Sequence, residues 1–391
     1  MRYQTRILDR NFVPVKVNPW RKNLVLDQGL NALARATTNG LQTTPAQSFL
    51  HCKLGGGTAP NSIASGAITF TQSGNTLTAS GNFFSNTNPT NMVGGLFKWG
   101  TGGNGAETYI TAYISPTQVT VNDAATVSTP DVGTVWQVQR LTLYDTSGIP
   151  AGAKNSNTYQ TNSGDNGTTY LNNTITFKRT FLFPQQVSQY TVNEIGWSPT
   201  NTSPNETFLC GRAVLSSSDV VGTGFYYVVI LELTFTYTPG TPVAVIDVGT
   251  NINTAGTAMI ERWNLRTVDA NGGVTSTDTN LDQTLESIAL PTATYSQQST
   301  IQQSSNVTWG SRLQVQTNVA WTYGGTVGKM TATAVGSLSA LGQTIYGVGG
   351  YSANNSRVSF DVKFTTPFVI AVSSFQPTIT LTAFYTRLLI N

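Results

Sequence analysis

The chain has 391 residues, enough for two or three separately cored domains, and a formal net charge of only +3. Charged residues make up 10%, against about 25% in an ordinary soluble domain, while 39% hydrophobic and 10% aromatic content excludes a disordered chain. Two cysteines, Cys52 and Cys210, exclude a disulfide framework, and the apolar run Tyr226 to Leu231 falls far short of the roughly 20 residues of a membrane helix.

Charge is concentrated near the start. Residues 1–35 hold seven basic residues (Arg2, Arg6, Arg10, Lys16, Arg21, Lys22, Arg35) against Asp9 and Asp27, so this segment is +5 and the remainder −2. Such a segment docks on an acidic partner or phosphate, or forms a solvated face with ion pairs between subunits. The lack of interleaved aromatic and basic residues argues against nucleic acid. Within 1–22, Phe12, Val13, Val15 and Val17 are interrupted by Pro14, with Pro19 following, which suits an extended basic arm or an edge strand. Residues 23–36 predict one short helix: Leu26, Leu30 and Leu33 share a face, Asn23 or Asp27 caps its start, and Asn39-Gly40 stops it.

Thereafter strands dominate. His51–Leu54 meets the turn Gly55-Gly56-Gly57, whose glycines are expected to supply positive φ. From 81 to 143, short apolar runs separated by turn residues predict a small inserted β domain. Residues 145–170, rich in Asn, Gly, Ser and Thr, predict a long surface loop. Strands follow at 174–183, 190–197, 208–215 and 225–238, the last apolar enough to be central and buried on both faces. Thr238-Pro-Gly-Thr-Pro242 is the best linker, and 243–391 form a C-terminal β domain whose polar stretch 270–305 is turn-rich. No repeat of 20–50 residues marks a propeller or β-helix. The fold class is therefore all-β, with several small β-sandwich or barrel-like domains and one short N-terminal helix. The arm at 1–22 leads into a module over 23–240, interrupted by the insert at 81–143.

Three segments carry a resemblance. The first is Asn23-Leu-Val-Leu-Asp-Gln-Gly-Leu-Asn-Ala-Leu-Ala, with the later turn Leu54-Gly55-Gly56-Gly57-Thr58-Ala59-Pro60. The second is Thr191-Val-Asn-Glu-Ile-Gly-Trp197, then Phe208-Leu-Cys-Gly-Arg-Ala-Val-Leu215 and the strand Val228–Tyr237. The third runs from Val93-Gly-Gly-Leu-Phe-Lys-Trp99 through Tyr109 to Val121. Together, over roughly residues 20–240, they resemble bacteriophage tail and tail-fibre proteins, departing from the commonest form in having three successive glycines in the turn. The resemblance implies a structural virion component of the tail, fibre or adsorption apparatus, made in the host cytoplasm. Its expected partners are further copies of itself, as a trimer or higher ring, other virion proteins and a host surface glycan. A capsid decoration or head-fibre protein is the alternative, and a glycan-degrading tailspike the second.

The residues themselves offer little chemistry. His51 is the single histidine, and beside Cys52 on a strand it points to the opposite face, so the two make no dyad. No nucleophile elbow, phosphate loop, metal-ligand set or cofactor fingerprint occurs. The expectation is no enzyme, no cofactor, no metal and no membrane insertion, with Cys52 and Cys210 either paired or, the favoured reading, buried free thiols. Glu194 and Arg212 are expected to form a structural cross-strand ion pair, and Gly196 to allow close packing or a bulge. Trp99, Trp136, Trp197, Trp263, Trp309 and Trp321 offer stacking platforms for sugar rings, or else fill cores.

Overall fold

The computed structural model describes residues 1–236 apart from short stretches, the longest being 30–36, 43–48, 100–105, 157–166 and 199–208. Beyond 236 it describes the strands named below and residues 292–294. The first strands are β1 (Arg2–Leu8), β2 (Pro14–Val17) and β3 (Arg21–Lys22), then β4 (Thr37–Thr38), β5 (Leu41–Gln42) and β6 (His51–Gly55). Next come β7 (Ser62–Ile63), β8 (Thr69–Ala79), β9 (Leu96–Trp99), β10 (Ala106–Ser115), β11 (Gln118–Val132) and β12 (Val138–Gln139). They are followed by β13 (Asn155–Ser156), β14 (Gly167–Leu171), β15 (Thr174–Phe183), β16 (Tyr190–Ser198), β17 (Gly211–Val221) and β18 (Tyr226–Thr236).

Two of the sheets face each other as a sandwich. One has the order β14-β15-β18-β1-β2, with β3 also on β1; the other has the order β13-β6-β16-β17. Alternation sends Tyr3 and Ile7, Phe181 and Phe183, and Tyr227, Val229 and Leu231 of the first sheet into the core. They meet Cys52, Leu54, Val192, Ile195 and Trp197 of the second. The opposite face of the first sheet is apolar too. Leu8, Val228 and Ile230 are buried there beneath Trp20, Leu182 and Tyr226. All residues from Tyr227 to Leu231 are thus buried, so β18 is the central, doubly covered strand its composition predicts.

The chain leaves this sandwich after β6 and returns to it at β13. Between them, a six-stranded sheet of order β7-β12-β9-β10-β11-β8 surrounds its own core of Phe70, Phe84, Met92, Phe97, Ile110 and Val119. It begins near Ser62 and takes in β7 and β8, earlier than the 81–143 stretch in which the alternation of strands and turns is plainest. The polar β8, Thr-Phe-Thr-Gln-Ser-Gly-Asn-Thr-Leu-Thr-Ala, buries only alternate residues such as Phe70 and Leu77, which weakens its sequence signal.

Three other expectations change. Residues 2–8 are not an arm: β1 lies between β18 and β2 and buries Tyr3, Ile7 and Leu8, while β2 is the edge strand. The segment 145–170 is not one surface loop. Ile149, Ala153 and Ser156 are buried, β13 pairs with β6, and β14 pairs with β15, while 157–166 lie outside the described residues. Hydroxyl-rich composition fits a strand as readily as a loop once a neighbouring strand is available to pair. Of the helix over 23–36, Asp27 and Gly29 are helical, whereas Leu30 and Leu33 lie outside the described residues.

Beyond 236 the strands are β19 (Ala244–Asp247), β20 (Asn251–Ile252), β21 (Gly256–Ile260), β22 (Ser287–Pro291) and β23 (Arg312–Thr317). Then come β24 (Trp321–Thr326), β25 (Lys329–Ser337), β26 (Thr344–Ser352), β27 (Arg357–Val369) and β28 (Thr378–Thr386). They form two five-stranded antiparallel sheets, β20-β19-β28-β25-β24 and β21-β27-β26-β22-β23. β22 places a strand within the stretch 270–305 expected to be turns. The linker at 238–242 lies outside the described residues.

Candidate functional site

The residues that carry the sequence motifs meet around one buried ion pair. A register shift between Val192 and Glu194 changes the phase of β16. Val192 faces the sandwich core before it, and Ile195 and Trp197 face the core after it. Glu194 is thereby turned away from that apolar interior, which strict alternation from Val192 would have forced it to enter. Both Glu194 and Arg212 have 0% of their surface exposed, yet neither lacks partners. Arg212 Nε donates to Glu194 Oε2 at 2.9 Å, and Nη2 donates to the same oxygen. Arg212 Nη1 donates to the Ala59 carbonyl at 2.8 Å and to Asn61 Oδ1 at 2.6 Å. Burial lowers the pKa of the guanidinium, and Glu194 opposes that shift.

The carboxylate also accepts three backbone N–H groups: Gly57 at 3.1 Å, Tyr144 at 2.8 Å and Asp145 at 2.9 Å. Asn193 Nδ2 donates to the Gly56 carbonyl at 2.7 Å, and the Gly56 N–H donates to the Asp145 carbonyl at 2.7 Å. The glycine turn, the segment after the insert, β16 and β17 are therefore tied to one charge pair. Gly55 and Gly57 serve this closeness, and the turn glycines do not supply positive φ, which Gly66, Gly74, Gly94 and Gly224 adopt instead. A Cβ on Gly55 would sit 2.6 Å from Glu194 Oε1 and 2.8 Å from the Asp145 carbonyl, and one on Gly57 2.6 Å from Glu194 Oε1. Gly196 allows the close approach of Leu209, within 2.8 Å of where its Cβ would be.

Two further buried acids, Asp219 and Asp27, hold contacts that the sequence did not signal. Asp219 on β17 accepts from Thr5 Oγ1 at 2.8 Å, Lys16 Nζ at 2.6 Å, Asn18 Nδ2 at 2.7 Å and the Tyr227 hydroxyl at 2.8 Å. Burial works to raise its pKa, but these donors outweigh it and the net shift is downward. The node fastens β1, β2 and β18 of one sheet to β17 of the other. Asp27 and Lys98 form a buried pair at 3.3 Å, and the Asp27 N–H donates to Gln139 Oε1 at 2.7 Å. These contacts, with Leu26, Leu96, Tyr109, Leu141 and Leu209, fix the inserted sheet to the sandwich. Apart from Tyr227, which follows Asp219 closely, the partners of both acids are separated from them by long stretches of chain, so no local pattern signals them.

The remaining candidates are packing residues. Cys52 and Cys210 are buried thiols that are not joined in a disulfide, and burial holds Cys52 well above its ordinary pKa. His51 is 9% exposed, its Nδ1 lacks a hydrogen bond, and burial, with Lys53 and Arg179, lowers its pKa to about 4. Trp197 is fully buried in the sandwich core. Trp136, Trp263 and Trp309 lie outside the described residues. Trp20, absent from the expected platforms, has Arg2 at 4.7 Å and Lys178 at 5.7 Å over its ring. A small cleft beside the inserted sheet is bordered by Pro60, Asn91, Val93, Arg140 and Thr142. Among the described residues no three His, Cys, Asp or Glu groups gather as a metal site, and no helix is long and apolar enough to cross a membrane.

Comparison with protein-family models, with curated proteins and with solved structures finds no match.

Proposed function

We propose that the chain is a non-enzymatic structural component of a bacteriophage particle, in the tail, fibre or adsorption apparatus, working as a homo-oligomer. The supporting observation is the convergence of the motif residues. Gly57, Ala59, Glu194 and Arg212, drawn from stretches that resemble tail proteins, sit on one another around a single buried charge pair. Each of their polar groups is spent on holding backbone segments together, an arrangement that stiffens a β module and leaves little capacity for proton transfer. The abundance of Thr, Ser and Asn with only 10% charged residues suits strands that pack at high copy number. Host-surface binding is the accompanying role, and the exposed polar loops are where it belongs. Electron imaging of the particle that carries the chain tests the reading. Repeated copies in the tail or its fibres are expected; absence from the particle, or a place on the capsid surface, overturns it.

A further inference from the structure

The edge of the first sheet is prepared to receive another strand. Among the described residues β2 pairs with β1 on one side only, and β3 continues the same edge of β1 beyond it. Edge strands in natural proteins are usually blunted by charge, proline or irregularity, because unpaired backbone groups invite pairing. Pro14 stands only at the start of β2, and Lys16, the one charge within it, has its ammonium held by buried Asp219 at 2.6 Å. Val13, Val15 and Val17 are 54%, 56% and 53% exposed, with the Lys16 side chain 42% exposed between them.

The hairpin that presents this edge is rigid. Asp9 Oδ1 accepts from the N–H groups of Asn11 and Val13 at 2.8 and 2.9 Å, closing the turn. Phe12 adopts φ 62°, a left-handed conformation uncommon outside glycine, and is held by stacking on Tyr226 with ring centroids 4.4 Å apart. Such a turn enters a complex with little ordering left to do.

Charge selects the occupant. Exposed Arg10 stands at the hairpin end of the edge, and Arg21 with Lys22 at the other, so cations bracket the valines. Antiparallel pairing of this edge with itself would set Arg10 of one copy against Arg21 and Lys22 of the next, a like-charge encounter. The opposite edge of the same sheet, β14, reads Gly-Thr-Thr-Tyr-Leu and carries no acid. We infer that this edge binds an extended segment of a different protein, with apolar residues at alternate positions and acidic residues at both ends, as an added β-strand. The inference stands on the edge alone and does not require the virion reading.

The test uses the full chain and a capped nonapeptide of alternating valine and threonine with two acidic residues at each end. A second peptide carries lysines in place of the acids. The acid-ended peptide is expected to slow amide hydrogen exchange at Val15 and Val17 and to bind roughly tenfold more tightly than the lysine-ended one. The double reversal Arg10→Glu with Lys22→Glu, two exposed positions that leave the hairpin intact, is expected to invert that preference. Equal binding of both peptides, or protection confined to other strands, overturns the inference. So does protection of the same amides that rises with chain concentration and needs no peptide, which would make a second copy the occupant.

Discussion

At the scale of single residues, Glu194 and Arg212 show why a buried charge pair is fragile to half-removal. Arg212→Met leaves a fully buried carboxylate facing three N–H groups and no cation, so a loss of about 3–5 kcal/mol is expected in denaturant unfolding. Arg2→Ala, at a pair whose Arg2 side chain is 51% exposed, is expected to cost no more than about 1 kcal/mol in the same measurement. The glycine turn gives a sharper contrast. Gly55→Ala drives a methyl group into Glu194 and the Asp145 carbonyl and is expected to cost about 1–3 kcal/mol. Gly56, whose Cβ would meet nothing nearer than 3.9 Å, accepts Ala within about 0.5 kcal/mol.

Two buried groups give stability a pH dependence in separate windows. His51 titrates near 4 when folded, because burial first, then Lys53 and Arg179, disfavour its cation. The unfolded chain binds that proton near 6.5, so this contribution is complete above 6.5 and is lost as pH falls toward 4. Asp219 has its folded pKa below 3.8, so its contribution is present above 3.8 and disappears as pH falls through the folded value. Thermal unfolding followed from pH 7 to 3 is expected to show a two-stage loss. His51→Gln flattens the upper stage and Asp219→Asn the lower; unchanged curves would contradict both assignments.

At the scale of elements, the strand most exposed to error is the one covered twice. β18 buries one face in the sandwich and the other under Trp20, whose ring also lies beneath Arg2 and Lys178. Trp20→Ala would uncover Val228 and Ile230, and an unfolding loss of about 1–3 kcal/mol is expected from the apolar surface returned to water. The continuous apolar run made this strand legible in the sequence. β1 was not legible as central, because its outward Arg2, Gln4 and Arg6 gave an amphipathic, charged texture. Its Arg2 is answered by Glu232, and its Thr5 by Asp219, across more than 200 residues. β26 carries a weak strand signal for a different reason: Thr-Ile-Tyr-Gly-Val-Gly-Gly-Tyr-Ser has the glycine content of a turn, although its neighbours pair it as a strand. The Glu194–Arg212 pair was visible as two opposite charges on strands assigned to one sheet. The turn, Asn61 and the Tyr144–Asp145 backbone that complete it were not, since only tertiary approach reveals them.

At the scale of the whole molecule, the buried ion pairs occupy junctions. Asp27–Lys98 ties the inserted sheet to the sandwich, Asp219 ties the two sandwich sheets at the β1–β2 hairpin, and Glu194–Arg212 ties the chain's departure into the insert to its return. Charges placed at junctions fix the angle between packed units, which suits the repeating structural subunit proposed above. The mass of the purified full chain in solution, by sedimentation equilibrium, tests this most directly. Assembly into three or more copies of the 41.8 kDa chain is the expected result, persisting on dilution. A species that remains at 41.8 kDa at every concentration would contradict it.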